Sequence, residues 1–165
     1  MPLFPAFLDL TDRAVLIVGE GPEADRKADK MRPFCAHILR SPYPPEWAEA
    51  PALVLLTQKD HPDNAFWAGH FRAQGIPVNV ADRPELCDFR FPSLIVKNDL
   101  SIGIATDGKA PALASLLRQH IESALPEDLE AILTTAAALT AELRKTIPDQ
   151  QERARILRDE LQKLL

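Results

Sequence analysis

The sequence predicts an α/β protein, in which a parallel sheet is followed by a β-hairpin and a C-terminal group of helices. Up to about residue 91, short apolar runs alternate with helix-forming stretches, as in a sheet joined by crossover helices. A hairpin pattern follows, and then apolar residues recur at helical spacing. We therefore expect three domains, at residues 1–91, 92–125 (hairpin plus helix) and 126–165 (helical).

Composition and charge restrict the class of protein. The chain is 46% hydrophobic with a net charge of −5, which argues against a nucleic-acid partner because phosphate binding needs a basic surface. No apolar run approaches the ~18 residues of a membrane span, and the N-terminus lacks the features of a secretory signal. Cys35, Cys87 and the four histidines lack metal-ligand spacing. We expect a cytoplasmic protein with reduced thiols, no metal site and no membrane partner.

Four apolar runs predict the strands of the parallel sheet: Ala14–Val18, 36–40, Leu53–Leu56 and 76–80. Helices are predicted at 22–32, where Pro22 suits the first turn, and at 62–74, which Gly75 ends. Only PYPPEWAEAP separates the second strand from the third, which is short for a crossover helix. A single helical turn at 46–49 is expected there.

The second half of the chain reads as a hairpin and helices. Apolar residues of SLIVKNDLSIGIAT alternate between two faces around an Asn98-Asp99 turn, Leu94 and Val96 on one face and Leu100, Ile102 and Ile104 on the other. From Ala110 onward the pattern is helical, with breaks at Pro126 and Pro148.

A glycine turn follows the first strand. Gly19 and Gly21 stand where a dinucleotide-binding turn needs a tight bend and a close approach of backbone to diphosphate, and Ala24 is its third small residue. The start of the following helix attracts phosphate. The pattern favours a Rossmann-like nucleotide site, and a strand-to-helix connection without a ligand stays open as the alternative.

Charged residues near the turn differ from the usual nucleotide site. Glu20 and Glu23 place carboxylates beside a site for an anion. The second strand ends in Arg40 instead of the acidic residue that holds the ribose of NAD. Arg40 is consistent with a cofactor that carries a 2′-phosphate and equally with a solvated strand end.

Three blocks carry a family resemblance. They are LIVGEGPEADRKADKM, with a strand, a glycine-rich turn and an Arg-Lys pair; IPVNVADRPELCDFRFPSLI, with an Asn-Val-x-Asp segment and a Phe-x-x-Pro-Ser entry to a hairpin; and LSIGIATDGKAPALASLLRQHIESALP, with a strand, turn and helix. In this order they resemble the precorrin-2 dehydrogenases, the N-terminal module of siroheme synthases.

The resemblance implies a Rossmann-like domain, a hairpin dimerisation segment and a C-terminal helical domain. It implies a homodimer that oxidises precorrin-2 to sirohydrochlorin with NAD, on the way to siroheme and, in some organisms, haem; some members of the family also insert ferrous iron. The family normally has another strand and its connection between the second strand and Leu53–Leu56, a segment that is about twenty residues shorter in this chain. The alternative is therefore a member that binds a tetrapyrrole, or assembles with pathway enzymes, without NAD chemistry.

The resemblance also assigns site residues. The acid of the Asn-Val-x-Asp segment is Asp82, and partial burial near a cofactor would suit it to act as a general base. The alternative is that Asp82 only caps the turn before Arg83. The implied NAD contacts are Gly19, Gly21, Pro22, Glu23, Tyr43, Pro44 and Thr57.

The substrate would need cations. Because precorrin-2 carries several carboxylates, an acidic protein must gather positive charge around it. The hydroxyl of Thr106 occupies a position in the family's turn that faces the active-site cleft. The expected substrate contacts are Arg83, Arg90, Thr106, Lys109 and Arg118, each of which is also typical of a solvated surface.

Overall fold

The computed structural model describes residues 3–164, so Met1, Pro2 and Leu165, at the ends of the first and last predicted domains, lie outside the described residues. The chain divides into two compact units, with the boundary between Phe91 and Pro92. The further division of the second unit between residues 125 and 126 stays a prediction.

The first unit is built on a parallel sheet. Its elements within the described range are β1 (Ala14–Val18), α1 (Pro22–Met31), β2 (His37–Ser41), β3 (Leu53–Leu56), α2 (Asn64–Ala73), β4 (Val78–Val80) and a short 3-10 helix at Pro84–Leu86. The strand order is β2-β1-β3-β4, and each neighbouring pair is parallel. The predicted α/β class is confirmed.

Two apolar clusters cover opposite faces of this sheet, because side chains alternate along each strand. On one face, Val15 and Ile17 pack with Ala24 of α1. On the other, Leu16 packs with Phe71 of α2. Every residue of β1 and β3 is buried. With both faces covered, the carboxyl ends of the strands are where side chains can meet a ligand.

The connection from β2 to β3 is irregular, and the prediction of a helical turn at 46–49 is wrong. Residues 42–52 contain no helix, and the N–H of Glu46 donates to Ser41 Oγ at 2.8 Å. The prolines of this stretch cannot donate backbone hydrogen bonds, which disfavours a helix. Trp47 packs against Phe71 with ring centroids 4.8 Å apart, so this irregular segment contributes to the same face of the sheet as α2.

β2 is one of the two outer strands of the sheet. Within residues 3–164 it pairs with β1 alone, and no strand lies between β2 and β3 along the chain. The short connection therefore leaves out one strand that the resemblance would place there. The remaining differences are small: β2 begins one residue later than predicted, α1 ends at Met31, and α2 and β4 are shorter than predicted.

The second unit has the predicted hairpin and three helices. Within the described residues these are β5 (Ser93–Lys97), β6 (Leu100–Ile104), α3 (Pro111–Ala124), α4 (Leu129–Thr146) and α5 (Gln150–Leu161). Lys97 pairs with Leu100 across the turn, and Asn98 there has φ 53°, which asparagine tolerates. Helix α3 packs on the hairpin and α4 packs against α5. None of the helices in residues 3–164 combines the length and the hydropathy that a membrane span needs.

Candidate functional site

The carboxyl ends of β1, β3 and β4 carry the residues that the sequence singled out. The glycine turn follows β1, Thr57 follows β3, and Asp82 comes two residues after the end of β4. β2, which follows β1 along the chain, pairs on one side of β1, and β3 pairs on the other side. The strand order therefore reverses between β1 and β3. A reversal of this kind opens a crevice at the carboxyl edge of a parallel sheet.

Gly19 is required by the close packing of this edge. It has φ +108°, and a Cβ atom added to it would lie 2.6 Å from Thr57 Oγ1. The hydroxyl of Thr57 donates to the carbonyl of Val18 at 2.8 Å, and the N–H of Gly19 donates to the carbonyl of Ser41 at 2.8 Å. The turn is therefore fixed between β2 and β3, and a side chain has no room at position 19.

The start of α1 fits the diphosphate of a dinucleotide. Gly21 is the N-cap with φ +87°, a Cβ there would meet nothing within 4 Å, and no described side chain caps the helix. The first-turn N–H groups of a helix lack intrahelical acceptors and attract an anion. Ala24 is fully buried, which explains the third small residue of the turn. Pro22 and Glu23 are the first two residues of this helix.

Of the charged residues that distinguish the predicted nucleotide site, Glu23 and Arg40 are paired with neighbours, whereas Glu20 is exposed. The carboxylate of Glu23 accepts two hydrogen bonds from Arg26, at 2.7 and 2.9 Å. Arg40 at the end of β2 pairs with Asp25 at 2.8 Å, with both side chains exposed. Arg40 is thus an exposed ion-paired residue at the strand end, and Glu23 presents a partly neutralised carboxylate to the glycine turn.

Two clefts open at this edge. The larger, of about 680 Å³, is lined by residues that follow β1, β3 and β4: Glu23, Arg26, Thr57, Gln58, Lys59, Asp60, His61, Pro62, Ala81 and Asp82. The smaller, of about 210 Å³, lies between α1 and the segment after β4; its lining includes Lys27, Asn79, Asp82, Arg83, Cys87, Arg90 and Phe91. Glu23, Arg26, Ala81 and Asp82 line both clefts, so they are adjoining parts of one site.

Asp82 has a constrained backbone and a free side chain. Its φ is 54°, in the left-handed region, and its side chain is exposed in the described chain, so partial burial beside a cofactor stays a prediction. The side chain of Cys87, not that of Asp82, accepts the N–H of Val80 that opens the turn after β4, at 3.1 Å. The carboxylate of Asp82 is thus available on the wall shared by the two clefts.

The predicted substrate contacts divide into two groups. Arg83 and Arg90 line the smaller cleft with Asp82, and Arg83 also pairs with Glu85 at 2.5 Å. Thr106, Lys109 and Arg118 belong to the second unit and have local partners. Thr106 Oγ1 accepts the N–H of Ala110, Lys109 lies 3.9 Å from Asp107, and Arg118 pairs with Glu122 one helical turn away.

Tyr43 and Pro44 line neither cleft among the described residues. The hydroxyl of Tyr43 donates to Asn64 Oδ1 at 2.6 Å, and its ring stacks on His61 at 3.7 Å between centroids. His61 lines the larger cleft, so Tyr43 supports the wall of the site through that ring. Pro44 is exposed beside it.

The half-buried Tyr43 gives a stability change at high pH. Burial raises the pKa of the Tyr43 hydroxyl, with a further contribution from Asp63. A raised pKa in the folded state stabilises the protein below the unfolded pKa of about 10, and this stability is lost as pH rises above that value. Because Tyr43 is the single tyrosine, tyrosinate absorbance should appear only together with unfolding, and a titration at pH 10 in the folded protein would contradict this.

Two site residues were missed by the sequence analysis. Lys27 lines the smaller cleft although it lies on the inner face of α1 with Ala24, Ala28 and Met31. The sequence signal for its burial was the helical spacing that places position 27 on the same face as Ala24. Asn79 belongs to the Asn-Val-x-Asp segment, but no role was predicted for it. Its side chain accepts a hydrogen bond from Lys27 and donates one to the carbonyl of Phe89. Within residues 3–164, no three His, Cys, Asp or Glu side chains form a potential metal site.

Two family models match consecutive parts of the chain. Residues 37–93 match a family described as putative NAD(P)-binding, and residues 97–124 match one described as sirohaem biosynthesis protein central. The first match begins at β2 and so does not include the glycine turn. The second covers β6, α3 and the turn between them.

Curated relatives and a solved structure agree with these matches. The siroheme synthase of Psychrobacter sp. (strain PRwf-1) is 32% identical over 90% of this chain and 35% of its own length. That of Thioalkalivibrio sulfidiphilus is 33% identical over 94% of this chain and 36% of its own length. The chain therefore spans about one third of the curated relatives it matches.

The solved structure entitled "SirC, precorrin-2 dehydrogenase" aligns with 98% of this chain and 100% of its own, with a TM-score of 0.60 and 20% identity. That likeness concerns the fold. Residues 37–93 and 97–124 thus match a putative NAD(P)-binding family and a sirohaem biosynthesis family in succession, and the chain is homologous to siroheme synthases over about one third of their length.

Proposed function

We propose that the protein dehydrogenates precorrin-2 to sirohydrochlorin with NAD, in siroheme or haem biosynthesis. One observation carries the proposal: the glycine turn and a free carboxylate, Asp82, lie at the same carboxyl edge of the sheet, and Asp82 and the first turn of α1 line the same two clefts. A dehydrogenase needs both a place for a dinucleotide and a base beside it.

The residues have separate roles in this reaction. Gly19, Gly21 and the first turn of α1 would hold the diphosphate of NAD, which supplies the two-electron acceptor when bound. The carboxylate of Asp82 removes a proton from the substrate carbon next to the one that loses the hydride. Arg83 and Arg90, on the smaller cleft, bind substrate carboxylates.

The test is anaerobic incubation of the protein with precorrin-2 and NAD, with the absorption spectrum of sirohydrochlorin as the readout. We expect product in proportion to enzyme. A folded protein that forms none, under conditions in which a known precorrin-2 dehydrogenase is active, would overturn the proposal.

The alternative function is tetrapyrrole binding or pathway assembly without NAD chemistry. The observation that favours it is the absence of a strand beyond β2 in the described chain, together with the pairing of Arg40 with Asp25 at the strand end that normally meets the ribose. Calorimetry separates the two functions: micromolar NAD binding supports the dehydrogenase, and binding of sirohydrochlorin without NAD binding supports the alternative.

We also propose that the protein is a cytoplasmic homodimer. Leu113, Leu116 and Leu117 of α3 are exposed at helical spacing, with 40–62% of each residue accessible, and exposed apolar stripes mark interfaces. Cys35 and Cys87 carry free thiols, which suits a reducing compartment. We expect light scattering to give twice the 18.3 kDa chain mass, and Leu116→Lys to shift the protein toward monomer. A wild-type monomer at micromolar concentration would contradict the dimer.

A further inference from the structure

Lys27 is a buried cation in the smaller cleft. It is 8% exposed, and its Nζ donates to Asn79 Oδ1 at 3.2 Å and lies 4.0 Å from the centroid of the Phe91 ring. Asn79 is held in place because its Nδ2 donates to the carbonyl of Phe89 at 3.0 Å. The ammonium is therefore fixed in position by two neutral groups.

A buried lysine normally has an ionic partner. Among the described residues, no carboxylate forms an ion pair with Lys27 Nζ. Glu23, one turn earlier on α1, is bonded to Arg26 instead. The ammonium has three donors, and Asn79 accepts one. The Lys27 ammonium therefore has N–H donors without an acceptor among the described residues, and Lys27 lines the cleft.

The charges around Lys27 favour an anion in this cleft. Four basic side chains (Arg26, Lys27, Arg83, Arg90) and two acidic ones (Glu23, Asp82) line it. Burial lowers the pKa of Lys27 to about 8, Arg26 and Lys30 lower it further, and Glu23 on α1 and Cys87 on the segment after β4 act in the opposite direction. An anion at Nζ would stabilise the charged form of the lysine.

The size of the cleft limits what the anion can be. Its volume of about 210 Å³ is below the roughly 300–1,000 Å³ of sites that enclose a drug-sized ligand. A macrocycle does not fit inside it, but one acidic arm of a macrocycle does. Asp82 lines the same cleft, so an arm held at Lys27 would fix the distance from the ring to that carboxylate.

We propose that Lys27 Nζ binds one side-chain carboxylate of the tetrapyrrole in the smaller cleft and so positions the ring beside Asp82. This inference rests on the proposed tetrapyrrole substrate. It makes Lys27 a substrate-binding residue and Asn79 the residue that orients its ammonium.

The experiment measures binding of sirohydrochlorin to the full chain under anaerobic conditions, without NAD, by quenching of tryptophan fluorescence. Lys27→Met removes the charge and keeps the side-chain length, and Lys27→Gln keeps a hydrogen-bond donor without the charge. The matched control is Lys30→Met, since Lys30 stands on the same helix and near the same Phe91 ring, at 5.0 Å, but does not line the cleft. Circular dichroism confirms that each variant is folded.

We expect both Lys27 variants to bind sirohydrochlorin about tenfold more weakly at pH 7, as the loss of one charge-assisted hydrogen bond predicts. Lys30→Met should bind within about twofold of wild type. Wild-type affinity should fall between pH 7 and pH 9, as Lys27 loses its proton, and the Lys27 variants should lack this dependence.

Equal binding by wild type and both Lys27 variants, or an equal loss in Lys30→Met, would overturn the inference. The outcome is independent of turnover. If the wild type binds sirohydrochlorin in a Lys27-dependent way but forms no product from precorrin-2 and NAD, the inference stands and the proposed dehydrogenase function fails. If it forms product and the Lys27 variants bind like wild type, the inference alone fails.

Discussion

Replacing Asp82 by Asn is expected to lower kcat/KM for precorrin-2 by about two to three orders of magnitude, the usual contribution of a general base. Asn is the appropriate substitute because Asp82 has φ 54°, and Asn adopts the left-handed region with little strain, whereas Ala would add strain of its own. The side chain of Asp82 is exposed, so the loss of its charge should leave the fold intact.

The measurement is the anaerobic rate of sirohydrochlorin formation, accompanied by NAD calorimetry. NAD affinity should be nearly unchanged, because Asp82 does not belong to the glycine turn. The matched control is Asp12→Asn, which removes the same charge from an exposed aspartate before the amino end of β1, at the opposite edge of the sheet. Full activity of Asp82→Asn would show that the carboxylate takes no part in the reaction.

Replacing Gly19 by Ala is expected to lower the free energy of unfolding by about 2–3 kcal/mol and to abolish NAD binding. Its φ of +108° lies beyond the region that other L-residues adopt, and the new Cβ would lie 2.6 Å from Thr57 Oγ1. Thr57 cannot move without losing its hydrogen bond to the carbonyl of Val18, so the collision is not relieved by a side-chain rotation alone.

Urea unfolding and NAD calorimetry measure the two effects of Gly19→Ala. Gly75→Ala is the control, because Gly75 has φ +74° and a Cβ there would meet nothing within 4 Å. It carries backbone strain alone, and we expect a loss of about 1 kcal/mol with NAD binding retained. Equal destabilisation by the two substitutions would indicate that contact with Thr57 contributes nothing.

The regular elements of this fold were predictable because each type follows a rule that can be applied to neighbouring residues in the sequence. The central strands β1 and β3 have the predicted bounds, since a strand buried on both faces is a continuous apolar run. The helices of the second unit were separated by prolines, and they end near those prolines in the structure. Asp82 and the glycine turn were placed at one sheet edge because parallel strands share the direction of their carboxyl ends.

The remaining features depend on residues that are distant in sequence. The segment 42–52 was predicted to contain a helical turn, but Ser41 Oγ holds its backbone by accepting the N–H of Glu46, and Trp47 packs on Phe71. Lys27 reads as a surface charge by residue type, and its burial follows from Asn79 and Phe91, which come much later in the chain. The exposure of Asp82 likewise depends on which neighbours reach it.

The strand order β2-β1-β3-β4 has a consequence for how the chain acquires its structure during synthesis. β1 occupies an interior position but is made first, so its pairing on one side waits until Leu53–Leu56 has left the ribosome. The hairpin of the second unit pairs residues that follow one another closely, and such local contacts form faster than pairings between distant segments. The amino-terminal half is thus the slower of the two to mature, and a nascent chain halted before β3 would expose one full edge of β1 to other proteins.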